Sequence, residues 1–270
     1  MGRRLAAALL LAALGGGSSA CREDAREEVI LATTTSLQDA GLLDVLLPPF
    51  ERSTGIRVKV IAVGTGAALE MARRGDADVV IAHAPELERE YAAAGHLVEG
   101  RTILRNDFVI AGPPGDPAHA GDAPTLEAAL LRIATAARFV SRGDGSGTEI
   151  RERELWTLAG VDPDTLRSRI ETGQGQGATL FVASERGAYL LTDGATLTAL
   201  GDRLSLESVR SNDPRFRNEY HAHLVNPDRH PIPERAARAL IAHLASDEAQ
   251  RVIGSFGRAR FGRPLFVPAR

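Results

Sequence analysis

The sequence predicts an α/β fold. Short apolar runs rich in Val and Ile alternate with longer amphipathic stretches from Val29 onward, and several polar turns of one type join a run to the stretch after it. With 44% hydrophobic and 25% charged residues over 270 positions, the chain has enough apolar surface for one large or two modest domains. The prolines are dispersed and no internal period recurs, which excludes collagen-like, solenoid and disordered classes.

The chain begins "MGRRLAAALLLAALGGGSSAC", with Arg3 and Arg4 before an apolar run from Leu5 to Leu14 and small residues up to Cys21. This is the layout of an export signal, too short to span a bilayer permanently, so residues 1–20 are expected to be removed and the protein to reach the periplasm. "SSA" suits ordinary cleavage after Ala20. Cys21, the only cysteine, stands where a bacterial lipoprotein would be cleaved and acylated, although Ser18 occupies the position three before it where leucine is usual. Both readings stay open, and a disulfide within one chain is excluded.

Strands are expected at "VILAT", "IRVKVIAV", "ADVVIA", "DFVIAG", "RFVS" and "HLVNP". Between them, "LLDVLLPPFERSTG" places Leu42, Leu43, Leu46, Leu47 and Phe50 at helical spacing, with Pro48 and Pro49 expected to kink or divide the helix. Further helices are expected at "PELEREYAAAG", "TLEAALLRIATAA", "TEIRERELWTLAG" and "PERAARALIAHLASDEAQRVIGSF". "GPPGDPAHAGDAP", Gly112 to Pro124, has the strongest loop composition and is expected to be a surface excursion. After residue 20 no apolar stretch is long enough for a membrane helix.

Without Arg3 and Arg4 the chain carries 30 basic against 35 acidic residues, a net of about −5, which disfavours nonspecific nucleic-acid binding. Lys59 is the sole lysine, which excludes a catalytic or phosphate-binding lysine elsewhere.

Three stretches share one grammar of strand, then Ser, Thr and Gly, then helix: "LATTTSLQD", "IAVGTGAAL" and "FVSRGDGSGTEI". A helix start leaves N–H groups without partners and carries about half a positive charge, which suits an anion. Three starts would supply about +1.5, and Arg142 adds a full charge, together roughly matching a dianion. Beside this stands a plainer reading: Ser146-Gly147-Thr148-Glu149 is a capping box and Ser36-Leu37-Gln38-Asp39 approximates one, so each serine alone is a helix cap before it is a ligand contact. Arg142 beside Asp144 is, on the same view, a structural ion pair. Capping and binding are compatible, because backbone donors remain once the cap is made.

Other chemistries fit poorly. "VGTGAAL" begins like a dinucleotide fingerprint, but Leu69 stands where a small residue is needed, and no lysine follows a glycine-rich turn to make a P-loop. Asp144 and Thr148 replace the glycines a nucleophile elbow at Ser146 would need. His221 and His223 would project from one face of a strand toward a metal, yet no cysteine or carboxylate joins them convincingly in the sequence, so a structural role is preferred and no metal site is expected.

The segments "LATTTSLQDAGLLDVLLPPFE", "VIAVGTGAALEMARRGDADVVIAHAPELE", "NDFVIAGP", "FVSRGDGSGTE", "TGQGQGATLFVASERGAYLLTDGAT" and "LVNP" span nearly the whole mature chain. Together they resemble the substrate-binding proteins of tungstate ABC transporters, relatives of the phosphate- and molybdate-binding proteins. The resemblance implies a two-lobed type II periplasmic binding protein fold, with lobe I at 27–108 plus 224–270, lobe II at 109–223, and crossings at Asn106 to Gly112 and Asn218 to Pro227. It implies an oxyanion held between lobes that close on it like a hinge, with Thr34, Thr35, Ser36, Thr65 and Gly66 on one side and Arg142, Ser146, Gly147 and Thr148 on the other. Asp144 would steady Arg142.

His83 is a further candidate. It stands where phosphate-binding relatives have a carboxylate that accepts a proton from the ligand; a histidine able to donate tilts the expectation toward tungstate, molybdate or sulfate. The chain departs from the family at "TDGAT", where Gly194 replaces an expected arginine. The implied protein is a monomeric, non-enzymatic binding component without a cofactor. It would deliver tungstate to a membrane permease with its ATPase, with molybdate or phosphate as alternative ligands. An exported enzyme acting on a phosphorylated or sulfated metabolite is the alternative of another class.

Overall fold

The computed structural model describes residues 27–269, so the export segment and Cys21 lie outside the described residues. The first strands are β1 (Glu28–Thr34), β2 (Arg57–Val63) and β3 (Val79–Ala82), joined by α1 (Thr35–Ala40), α2 (Leu43–Thr54) and α3 (Thr65–Arg74). β1 lies parallel between its neighbours, with Leu31 opposite Val60 on one side and Val79 on the other. Because helices cover both faces, β1 and β3 are near-continuous apolar runs, whereas the edge strand β2 alternates exposed Arg57 and Lys59 with Val58 and Val60. Val29 and Leu31 enter one core with Leu46, Phe50, Tyr220 and Leu240. Ala32 enters the core on the other face, with Leu69, Val80 and Val225.

α4 (Pro85–Ala93) leads into β4 (Leu97–Gly112), a strand of 16 residues whose last six are the expected "DFVIAG". There follow α5 (Leu126–Ala136), β5 (Phe139–Ser141), α6 (Gly147–Leu158), β6 (Arg169–Glu171), α7 (Gln176–Arg186), β7 (Leu190–Asp193), α8 (Gly194–Leu200) and β8 (Glu207–Arg210). β9 (Arg217–Val225) returns, and α9 (Glu234–Leu244), α10 (Asp247–Ser255), α11 (Arg258–Phe261) and β10 (Val267–Pro268) complete the chain.

The large sheet runs β10-β4-β9-β3-β1-β2, with β7 and β8 attached to the far end of β4. β4 pairs antiparallel with β9 from Leu97↔Val225 to Asp107↔Arg217, then with β7 from Phe108↔Asp193. One strand is thus shared by two bodies of packing. Past Asn106 its side chains alternate with period two between the two remaining cores: Phe108 and Ile110 join Trp156 and Tyr189, while Val109 and Ala111 join Leu180 and Leu190.

Some elements differ from expectation. α2 is a single helix with Pro48 and Pro49 inside it, undivided because Leu43, Leu46, Leu47 and Phe50 bury one face continuously. The long C-terminal helix is instead two, because the Ser246 side chain accepts from Ala249 N and starts α10 afresh. The 112–124 segment is irregular, but Ala118, Ala120 and Ala123 are buried and Ala118 N donates to the Tyr189 hydroxyl, so it is packed down, not a free excursion. β6, β7 and β8 escape the sequence reading because β6 and β8 are short and carry charged residues, and β7 has only Leu190 and Leu191 before Thr192 and Asp193, without the Val-Ile run that marks β3. No described helix is long and apolar enough to cross a membrane.

Candidate functional site

The three polar turns become the starts of α1, α3 and α6, and the chain brings all three together where the cores on either side of β4 and β9 meet. Gly66 N, at the start of α3, donates to Gly145 O, before α6, at 3.1 Å. A Cβ on Gly66 would lie 2.9 Å from that oxygen, so the approach requires glycine. Asp39 of α1 accepts from Gly177 N at 2.8 Å, and Thr196 of α8 donates to Ser36 O at 3.2 Å. Two further helix starts, those of α7 and α8, therefore complete the ring.

Arg142 is the buried cation of this junction, 2% exposed. Its Nη2 donates to Asp144 Oδ2 at 2.5 Å and to Thr35 Oγ1 at 3.1 Å, its Nη1 to Gln176 Oε1 at 3.5 Å, and its Nε to Gln174 O at 3.3 Å. Asp144 also accepts from Ser146 N, so one carboxylate fixes both the arginine and the turn before α6. Ser146 caps α6 by accepting from Glu149 N at 3.3 Å, as a capping box predicts. Glu149 reaches back to Gly145 N, one residue further than the motif requires, because Asp144 already holds Ser146 N.

Ser36 is not a cap. Thr34 holds the N-cap position of α1 and makes no side-chain cap bond, while Ser36 lies inside the helix and hydrogen-bonds Thr34 Oγ1 and the Tyr220 hydroxyl. The protons in this chain have one economical direction. Tyr220 OH accepts from Asn218 Nδ2 at 3.2 Å, so its own proton goes to Ser36, that of Ser36 to Thr34, and Thr34 keeps a proton to give. Thr35 Oγ1 accepts from both Arg142 Nη2 and Gln176 N, which occupies its lone pairs and likewise leaves its proton. Thr65 and Thr148, both 0% exposed, have hydroxyls with no protein partner, as does the neighbouring Thr33. The junction therefore offers hydroxyl donors from both sides around one guanidinium, a set suited to a compact anion.

His83, at the end of β3, lies with its ring against Gly147, where a Cβ would come 2.8 Å from Cε1, and it stacks on Tyr220 at 4.7 Å. Its Nδ1 is 2.9 Å from Asn218 Oδ1. The amide chain fixes the tautomer: Asp193 Oδ1 accepts from Thr196 N and Asn106 Nδ2, Asn106 Oδ1 accepts from Asn218 Nδ2, and Asn218 Oδ1 is left to accept from His83 Nδ1. Burial, reinforced by the Arg142 charge, pulls the imidazole pKa down to about 4. Neutral His83 thus keeps a bare lone pair at Nε2, which has no protein partner. It is an acceptor there, not the donor that the sequence suggested, because Asn218 takes its one proton. A pocket of about 290 Å³ lined by His83, Phe108, Gly147 and Asn218 adjoins it.

The sequence reading missed Gln176, Tyr220, Asn218, Asn106 and Asp193. "TGQGQGA" carried a signal, since it has the same strand-turn-helix grammar as the other three turns. Asn106 and Asn218 stand out only as lone amides beside apolar runs, opposite each other in the β4–β9 register.

A shared sheet with separate cores on either side, and polar helix starts meeting between them, defines a two-lobed binding-protein architecture. A family model for the PBP superfamily domain matches residues 19–248, and the chain belongs to that superfamily. Within it, the chain is 39% identical to the tungstate-binding protein TupA of Peptoclostridium acidaminophilum, over 87% of this chain and 83% of that one. It is 41% identical to a putative ABC transporter anion-binding protein of Haloferax volcanii, over 87% and 70%. A solved tungstate ABC transporter structure from Geobacter sulfurreducens matches with 43% identity and a TM-score of 0.78, covering 85% of this chain and 99% of that one.

Proposed function

We propose that this protein is the extracytoplasmic solute-binding component of an ABC importer and that it captures tungstate. The observation that carries the anion reading is the pair of buried, unpartnered hydroxyls of Thr65 and Thr148, at two helix starts joined by the Gly66–Gly145 contact and facing the same junction as buried Arg142. Tungstate in particular is supported by the names of the relatives, not by His83: an acceptor at Nε2 suits a protonated oxyanion as well as it would a phosphate-type site.

In this reading Arg142 supplies the charge, Thr34, Thr35, Ser36, Thr65, Gly66, Ser146, Gly147 and Thr148 line the anion, and Asp144 braces the arginine. Residues 27–108 plus 224–270 form one lobe and 109–223 the other, closing by bending of β4 and β9. The cargo passes to a permease with an attached ATPase, which must be separate chains. The protein acts outside the cytoplasm, released after Ala20 or anchored through an acylated Cys21, and works as a monomer without a cofactor. Binding without turnover is supported at Ser146, whose hydroxyl is engaged as the cap of α6, accepting from Glu149 N.

The test is a calorimetric and thermal-shift panel with tungstate, molybdate, phosphate and sulfate. Tungstate at about a thousand times its dissociation constant should add about 4 kcal/mol of stability. If none of the four anions moves Tm, the reading fails; if phosphate or molybdate binds tighter than tungstate, the cargo assignment fails.

A further inference from the structure

Close to His83, where α4 meets β9, a second cluster converges on one atom. Glu88, near the start of α4, is 3% exposed and turns Oε1 to accept from Ala84 N at 2.7 Å. Its other oxygen, Oε2, lies 2.8 Å from His221 Nδ1 and 2.8 Å from His223 Nε2. The sequence places the two histidines on one face of β9; what it lacked was the carboxylate, which comes from 133 positions away. All three potential ligand atoms lie within 4.8 Å of one another.

The surroundings are shaped for this convergence. β4 breaks register between Val98 and Arg101, with Glu99 at φ 54, and the His223 ring occupies the space beside Gly100, where a Cβ would lie 2.6 Å from Cε1. Capping Ala84 N uses only Oε1, so the cap does not explain why two imidazoles meet at Oε2. The carboxylate is oriented by a backbone N–H, as ligating carboxylates usually are. The histidine side chains, 18% and 11% exposed, leave an open side for a water or other ligand.

We propose that Glu88, His221 and His223 form a binding site for a divalent transition-metal ion of the zinc, copper or nickel class. Two imidazole nitrogens and one carboxylate oxygen are a borderline set that suits these ions and not magnesium or calcium. Bonds of about 2.0–2.1 Å put tetrahedral donors about 3.3 Å apart, so the two 2.8 Å separations from Glu88 Oε2 need to open by only about half an ångström, while the two imidazole nitrogens already lie within 4.8 Å of each other. The ion would replace the protons now shared within the trio and pin α4 to the returning strand.

The experiment uses the tag-free mature chain stripped with a chelator and titrated with Zn²⁺ by calorimetry, without tungstate. Saturable binding at one ion per chain is expected, weakened at least tenfold in His221→Ala and in His223→Ala, with far-UV circular dichroism showing both variants folded. Absence of saturable binding, or a titration unchanged in the double histidine variant, overturns the site. Should the variants not fold, one equivalent of Cu²⁺ on the wild-type chain gives a spin-resonance spectrum: coupling to two imidazole nitrogens supports the trio, and a spectrum without imidazole coupling refutes it.

Discussion

Arg142 has guanidinium donors in contact with both sides of the junction, so its removal should be felt mainly in binding. Arg142→Ala is expected to weaken tungstate binding about 10- to 200-fold, the range for a charge-assisted bond of about 1.5–3 kcal/mol, while Asp144→Ala, which leaves the charge in place, should cost less. Calorimetry of the two variants checks the order; equal effects would show that Asp144 does more than brace. His83 makes a different prediction. Its folded pKa of about 4 lies below the ordinary 6.5, so between those values the unfolded chain binds the extra proton. The stability it contributes is therefore present above pH 6.5 and lost as pH falls toward 4, by as much as about 3 kcal/mol. In ligand-free protein, His83→Gln should lose about 2 kcal/mol less than the unsubstituted chain by urea unfolding between pH 7 and pH 4.5; parallel curves would refute the neutral assignment.

At the scale of elements, the turn before α6 and the turn before α3 work as a facing pair. Gly66→Ala forces a Cβ to within 2.9 Å of a backbone oxygen that has no side-chain freedom to yield. It should lower tungstate affinity at least about fivefold, matching an overpacking cost of about 1–3 kcal/mol. Gly194→Ala is the contrast: the added Cβ meets Asp107 O at 3.4 Å, an ordinary contact, and affinity should stay within about twofold. Titrating both variants side by side separates close approach from mere loss of glycine. The same comparison shows what was legible in the sequence. The strand-turn-helix grammar exposes Thr34, Thr65, Arg142 and Ser146, because helix starts have a local signature. Tyr220, Asn218 and Asn106 stayed hidden, because their roles depend on the β4–β9 register, and Ser36 was misread as a cap because its real partner lies 184 positions away. Glu88 is the sharpest case: its first-turn position looks like ordinary helix chemistry until β9 arrives beside it.

For the whole molecule, β9 lies between β3 and β4 in the sheet, yet it is made more than a hundred residues after either end of the first three strands. Until it inserts, the early strands have an unfinished edge, and the core holding Tyr220 and Leu240 lacks the 12 of its 28 described buried side chains that β9 and the segments after it supply. The cores built on Phe108, Trp156 and Leu190, by contrast, come from one unbroken stretch. A polypeptide emerging from a membrane pore amino terminus first would thus meet its folding problems out of order, with the middle of the chain condensing early and the beginning waiting for the end. Pulse-labelling hydrogen exchange during refolding should find amides of α5, α6 and β7 protected before those of β1 and β3; the reverse order would contradict this. The bare edge of β3 in that interval is where a holdase should bind, and where a stalled chain would be clipped first.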